Sequence, residues 1–237
     1  MTAHRILAWT PAAIVFDCDG TLMDTERHWH VARELTIDDF DLDPGAGFSE
    51  RSKGLHYTEC GRLMADASGR PDLGESLADR LLTHFRVLVA DSPTTMAGAR
   101  DLVANAAKFA PLAVASNCPR EVVEECLDIA RLRDHFDHIV VPDQDIRPKP
   151  YPDVYLTAAR LCGVRPGDAL AVEDSHCGVE AATRAGLRVL GVGPWPGEET
   201  AALVDLWVSS LEEPRIFEWA GARVASTLGP QRNGPDS

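Results

Sequence analysis

A short apolar run, Ala12-Ala13-Ile14-Val15-Phe16, stops abruptly at Asp17-Cys18-Asp19-Gly20-Thr21. No other stretch restricts the fold as tightly. Apolar residues in series, without alternation, read as a strand buried on both faces, which is the pattern of a parallel sheet covered by helices. Open α/β sheets place their ligands beyond the carboxyl ends of such strands. Two carboxylates one residue apart, followed by a glycine that can turn the chain sharply, direct both acids to one pocket. Like charges this close repel, so the pocket requires a cation, a shared proton, or both. With oxygen ligands only, Mg2+ suits it. Taken alone, the same residues also fit a solvated Asp-Gly turn.

Beyond Pro93 the pattern extends. Apolar strands are predicted at 112–115, 139–141, 169–172, 188–192 and 206–208, separated by helices at 97–109, 120–131, 153–162 and 177–185. Repeated strand–helix units of this kind imply an α/β fold with a parallel sheet and helices on both faces. Residues 26–92 differ. Helical patterns occupy 28–35 and 56–67, and 42–52 reads as a Gly/Pro/Asp-rich loop. Asp72-Leu73-Gly74-Glu75 resembles a capping box, opening a helix with apolar residues at 73, 77, 81, 85 and 88/89. No strand is predicted there. The chain thus divides into an α/β core from 1–25 and 93–225, an inserted all-helical cap domain at 26–92, and a frayed polar tail at 226–237.

Three further strands end in residues that bear chemistry. Ser116-Asn117 follows 112–115 and offers a hydroxyl, an amide and helix-start N–H groups to an anion, or a cap to the next helix. Lys149 lies in Arg147-Pro148-Lys149-Pro150-Tyr151-Pro152, where prolines deny the loop both helix and sheet and stiffen it around one cation. Glu173-Asp174-Ser175 places two more acids at the end of 169–172.

Together, in this order, these residues resemble the four motifs of the haloacid dehalogenase superfamily, in its helical-cap subclass, and the likeness spans most of 12–192. The resemblance implies a Rossmann-like parallel-sheet core and phosphoryl transfer through an aspartyl-phosphate. Asp17 takes the nucleophile's position and Asp19 that of the acid–base. Ser116, Asn117 and Lys149 take the phosphate-binding positions. Asp17, the Asp19 carbonyl, Glu173 and Asp174 take the Mg2+ positions. Dehalogenase members lack the acid at Asp19, and so do phosphonate-cleaving members, which use a cap lysine; Lys53 is therefore not expected in that role. The β-phosphoglucomutase branch is the near rival, but its histidine aligns with Trp29 and its cap arginine falls near Tyr57. Arg51, Lys53, His56 and Tyr57, around Gly54, occupy positions where relatives contact substrate. His28 and His30 are expected to be surface or core residues, and Trp195, between two prolines, to pack in a loop.

The expected activity is therefore Mg2+-dependent hydrolysis of a small phosphorylated metabolite. A phosphomutase is the alternative, as is a non-catalytic module on the same scaffold, although no motif residue is missing. A net charge of −14 over 237 residues argues against nucleic acid or an anionic membrane as partner. The six cysteines form no CxxC pair and no Cys/His cluster, so they read as small buried residues in a reducing compartment. No apolar stretch approaches a membrane span, and no signal-peptide core precedes the first strand. A cytoplasmic monomer or small homo-oligomer is expected.

Overall fold

The computed structural model describes residues 6–91 and 94–228. At its centre lies β1 (Ala13–Phe16), every residue of which is buried. The other strands are β2 (Leu112–Ala115), β3 (His138–Val140), β4 (Ala169–Glu173), β5 (Arg188–Val192) and β6 (Leu206–Val208). They form one parallel sheet in the order β3-β2-β1-β4-β5-β6. The strand order reverses on either side of β1, which makes its carboxyl end the switch point at which doubly wound sheets bind ligands.

Both faces of the sheet are covered, which explains strands without alternation. Ile14, Phe16, Leu112, Val114, Leu170 and Val172 share one core with α5 (Ala99–Ala106), α6 (Arg120–Ile129) and α10 (Pro214–Leu228). Ala13, Val15, Ala113 and Ala171 meet α7 (Asp153–Leu161) and α8 (His176–Ala185) on the opposite face. Small residues on that face let α8 approach the sheet closely.

Between β1 and β2 the described residues hold no strand. Ahead of α5 they form α1 (Glu26–Asp39), α2 (Phe48–Ser52), α3 (Tyr57–Ala67) and α4 (Gly74–Asp91). Leu77, Leu81, Phe85 and Val89, one turn apart along α4, are all buried. Phe85 stacks on Trp29 of α1 with ring centroids 3.6 Å apart and planes 9° from parallel. This apolar stripe is continuous with the core on the α5/α6 side of the sheet.

Several local expectations are corrected. The last residues of the expected 42–52 loop form α2, whose Phe48 is buried and pulls that turn inward. Asp72 does not open α4; it sits inside a 3-10 turn, Pro71–Leu73, and pairs with Arg70 at 3.7 Å. A short α9 (Glu198–Ala201) and the long α10 were not anticipated. Ile216, Trp219 and Ala220 of α10 are buried at helical spacing, so residues 226–228, expected in the tail, are helical; 229–237 lie outside the described residues. Trp195 does not pack, being 63% exposed.

Phe85→Ala removes a fully buried ring and one half of the Trp29 stack, so it should cost about 3–5 kcal/mol of stability by urea denaturation. A loss under about 1 kcal/mol would show that α1 and α4 are not closely packed.

Candidate active site

The residues after β1, β2 and β4 end at one level because the strands are in register: Phe16 pairs with Val114 on one side and Val172 on the other. The Asp17 N–H extends the ladder by one bond to Val172 O, at 2.9 Å. Beyond Asp19 the chain reverses at Gly20, whose φ of +85° favours glycine and where a Cβ would collide with the Asp174 carboxylate. That close approach brings motif residues far apart in sequence together.

Lys149 enters from the loop after β3 and is 2% exposed. Its Nζ donates to Asp17 Oδ1 at 2.6 Å and to Glu173 Oε1 at 2.5 Å. Asn117 holds this loop from both sides. Its Oδ1 accepts from Lys149 N (2.8 Å), while its Nδ2 donates to Lys149 O (3.2 Å) and to Gly54 O (3.0 Å). Its side chain is thus engaged in positioning, which leaves its main chain to face an anion.

Glu173 is fully buried and held on both oxygens. Oε1 also accepts from the Tyr155 hydroxyl (2.9 Å), and Oε2 from Asp174 N (3.0 Å), Ser175 N (3.2 Å) and Ser175 Oγ (3.1 Å). Ser175 also caps α8 by accepting from Gly178 N at 3.1 Å. A side chain at 178 would overlap the Glu173 carboxylate, so the glycine is sterically required.

Asp19 stands slightly apart. Thr25 Oγ1 donates to its Oδ1 at 2.5 Å, and Ser116 Oγ reaches its Oδ2 at 3.5 Å. Ser116 in turn accepts from Cys118 N at 3.0 Å. Among the described residues, Asp17, Glu173 and Asp174 offer carboxylate oxygens within 4.8 Å of one another, a cluster that could hold a metal ion. Asp17 Oδ2 is buried with no hydrogen-bond partner, the orphan acceptor that a hard cation satisfies. The donor set and the unspent oxygen fit a divalent ion such as Mg2+.

A small cavity of about 30 Å³ lies over these groups, walled on the far side by Glu26, Trp29, Arg33, Gly54, Tyr57 and Leu81. The α1–α4 layer reaches the acids directly through Lys53, whose Nζ lies 2.9 Å from Asp174 Oδ2.

A haloacid dehalogenase-like hydrolase model matches residues 11–186. The chain belongs to that family. It is 33% identical over 187 residues to the "Probable pseudouridine-5'-phosphatase" of Drosophila melanogaster, covering 75% of this chain and 80% of that protein. It is 31% identical over 215 residues to hexitol phosphatase B of Escherichia coli K12, covering 85% and 93%. The β-phosphoglucomutase structure from Clostridium difficile superposes with a TM-score of 0.78 over 92% of this chain and 99% of that one, at 20% identity, a likeness of fold. The chain is a hydrolase of the phosphatase type.

Of the seven expected site residues in this haloacid dehalogenase-like hydrolase, Asp17, Asp19, Asn117, Lys149 and Asp174 line the cavity, while Ser116 and Glu173 lie behind it against Asp19 and Lys149. Sequence reasoning missed their supports, Thr25 and Tyr155, and the Glu26–Arg33 ion pair on the facing wall. Tyr155 lies on the inner face of α7 and Thr25 at the end of the turn after Gly20, positions no motif marks. Of the four residues around Gly54, Lys53 and Tyr57 meet the site, Arg51 is exposed, and His56 caps α3 by accepting from Thr58 N. His30 is exposed and faces Glu34 at 3.3 Å; the His28 Nδ1 is buried without a partner. Among the described residues no helix is long and apolar enough to cross a membrane.

Burial dominates the electrostatics. It pushes Asp17 well above the usual carboxylate range against the opposing pull of Lys149, and raises Asp19 to about 6, with the Thr25 hydroxyl opposing. Asp174 rises to about 7 through burial, opposed by Lys53. Lys149, which burial alone would lower, is held above the ordinary ammonium value by Asp17 and Glu173.

A carboxyl with a raised folded pKa stabilises the fold while protonated, and that contribution is lost as pH rises through the folded value. His56, lowered to about 4 by burial, acts with the opposite sign but only below its unfolded value of about 6.5. In chelator the urea midpoint should therefore fall between about pH 6.5 and pH 8, and Asp174→Asn should flatten that slope. A rising profile, or one unchanged by the substitution, contradicts this reading of the site.

Proposed function

We propose that this hydrolase cleaves a small phosphorylated metabolite, a sugar phosphate or similar monoester, in a Mg2+-dependent reaction through an aspartyl-phosphate on Asp17. One observation carries the reading. Asp17 has one carboxylate oxygen fixed by Lys149 and the other buried without a partner, at the end of the central strand and under the cavity. A carboxylate so held is positioned to attack and is already shielded from bulk water.

Asp17, Asp174 and the Asp19 carbonyl would hold Mg2+, with Glu173 behind them because its oxygens are already occupied. The bound ion supplies Lewis-acid neutralisation of the phosphoryl charge. Asp17 attacks phosphorus in line with the leaving oxygen, forming the mixed anhydride as the ester bond breaks. Asp19 gives its proton to the leaving oxygen and later takes one from the water that cleaves the anhydride. Its pKa of about 6 suits both tasks near neutrality. Thr25 fixes the orientation of that carboxyl. Lys149, Ser116 and the Asn117 N–H hold the equatorial oxygens as charge redistributes. The α1–α4 layer acts as a cap over the leaving group.

Trp29 and Tyr57 occupy the cap positions where mutases of the family, by resemblance, carry a histidine and an arginine. Neither supplies a charge to grip a second phosphate, which favours transfer to water.

The test is phosphate release from a panel of phosphate monoesters with and without Mg2+. Asp17→Asn should lower kcat by at least about 1,000-fold in a folded protein, and chelation should do the same reversibly. Ser116→Ala, removing one phosphate-facing donor, should cost about 100-fold. Activity that persists in Asp17→Asn, or that ignores chelator, refutes the proposed route.

A further inference from the structure

The turn between α2 and α3 reaches across onto the sheet edge and is held there by three contacts. Asn117 Nδ2 donates to Gly54 O at 3.0 Å, and Gly54 lies so close to Ser175 that a Cβ would overlap its Oγ. Lys53 makes the third: its Nζ lies 2.9 Å from Asp174 Oδ2 and 3.4 Å from the Asp174 carbonyl oxygen. Among the described residues it is the only cation within ion-pair distance of that carboxylate. Little room is left beneath the turn. The space over the acids, about 30 Å³, holds about two water molecules and is too small for a phosphate ester. The turn must therefore withdraw before a substrate can enter.

Of the three contacts, a metal ion contests one. Asp174 is among the three carboxylates close enough together to share an ion. A divalent ion on Asp174 would sit about 2.0–2.1 Å from its oxygen, and an ammonium about 3 Å from the same carboxylate would then meet a double positive charge at short range. The Asn117 bond and the packing on Ser175 are neutral and indifferent to the ion. We propose that Lys53 is a built-in rival of the divalent ion for Asp174: on the carboxylate it pins the turn over an unloaded site, and a bound ion evicts it, so that the turn withdraws and metal binds before substrate. This rests on the reading of Asp174 as a metal ligand given above.

An evicted ammonium keeps carboxylates beside it. Lys53 also borders an outer groove with Glu26, Ser49 and Glu50. Burial disfavours its charge, but Asp174 and, after it, Glu26 outweigh that effect and hold its pKa above the ordinary ammonium value. The side chain thus has two acidic neighbourhoods, of which only the one at Asp174 locks the turn to the sheet edge.

Mg2+ binding to the whole chain, followed by calorimetry without substrate, tests the rivalry. Lys53→Met should bind Mg2+ about tenfold more tightly than the wild type, and Lys53→Arg, which keeps the charge, within about threefold of it. Arg27→Met controls for the general loss of a positive charge, because Arg27 borders the same groove but pairs with Asp24 at 3.4 Å. It should change the affinity by less than about twofold. Amide exchange over residues 50–57 reports the turn itself. In the wild type Mg2+ should speed it several-fold relative to chelator, whereas in Lys53→Met it should already be fast in chelator and unmoved by Mg2+.

Equal or weaker Mg2+ binding by Lys53→Met, a comparable gain in Arg27→Met, or a wild-type turn that Mg2+ leaves unchanged or slows overturns the inference. Asp174→Asn separates it from the reading on which it rests. If that substitution leaves Mg2+ affinity unchanged, Asp174 is no ligand and both fail. If it abolishes binding while Lys53→Met does not tighten it, only the rivalry fails.

Discussion

A single buried ammonium holds this site together. Lys149 sits between Asp17 and Glu173 in a region from which water is excluded, where either carboxylate without a counter-charge would take up a proton or pull the local structure apart. The surrounding architecture exists to keep that nitrogen in place. Asn117 ties the Lys149 main chain at both its N–H and its carbonyl, Tyr155 shares the Glu173 oxygen, and Gly178 leaves the space that Glu173 fills. The sheet register sets the distance, because β1 and β4 deliver Asp17 and Glu173 side by side.

The charge balance of the site remains negative even so. Asp17, Asp19, Glu173 and Asp174 face Lys149 and Lys53, which leaves an excess of acid around the cavity. Burial resolves this by raising the pKa of Asp17, Asp19 and Asp174, and a divalent cation would resolve it by supplying charge. These two solutions compete for the same carboxylates. The same excess explains how a strongly acidic chain handles a phosphate ester: positive charge is needed only where the phosphoryl oxygens sit.

Much of this was legible in the sequence because Asp17, Ser116 and the Glu173-Asp174 pair stand at the ends of buried strands. An unalternating run such as Leu112-Ala-Val-Ala115 fixes both the strand and the level at which Ser116 emerges. Lys149 was legible from the prolines around it. What escaped was of two kinds. Helix α10 carries an ordinary helical signal in Ile216, Trp219 and Ala220, but no motif drew attention to it. Tyr155 acts through a contact between separate elements, and Thr25 and the Glu26–Arg33 pair, though within seven residues of their partners, sit in local sequence compatible with any solvated helix face. Asn117 shows the limit from the other side: its amide suggested an anion ligand, and the fold spends that side chain on the Lys149 loop.

The division of labour between sheet and helical layer follows from these contacts. In the proposed reaction, every group that acts on phosphorus comes from the carboxyl edge of the sheet, where backbone hydrogen bonds and buried side chains leave little freedom. The wall facing the leaving group comes from α1, α3 and α4, whose inner residues (Trp29, Tyr57, Leu81) are fixed by side-chain packing and not by a strand ladder. Packing tolerates exchange of shape far better than a buried charge network tolerates the loss of one partner. One sheet edge can therefore be kept while the wall is rebuilt around different alcohols, consistent with relatives of this chain that bear both phosphatase and mutase names. On that proposal, selectivity in this hydrolase is a property of helix faces, and chemistry a property of strand ends.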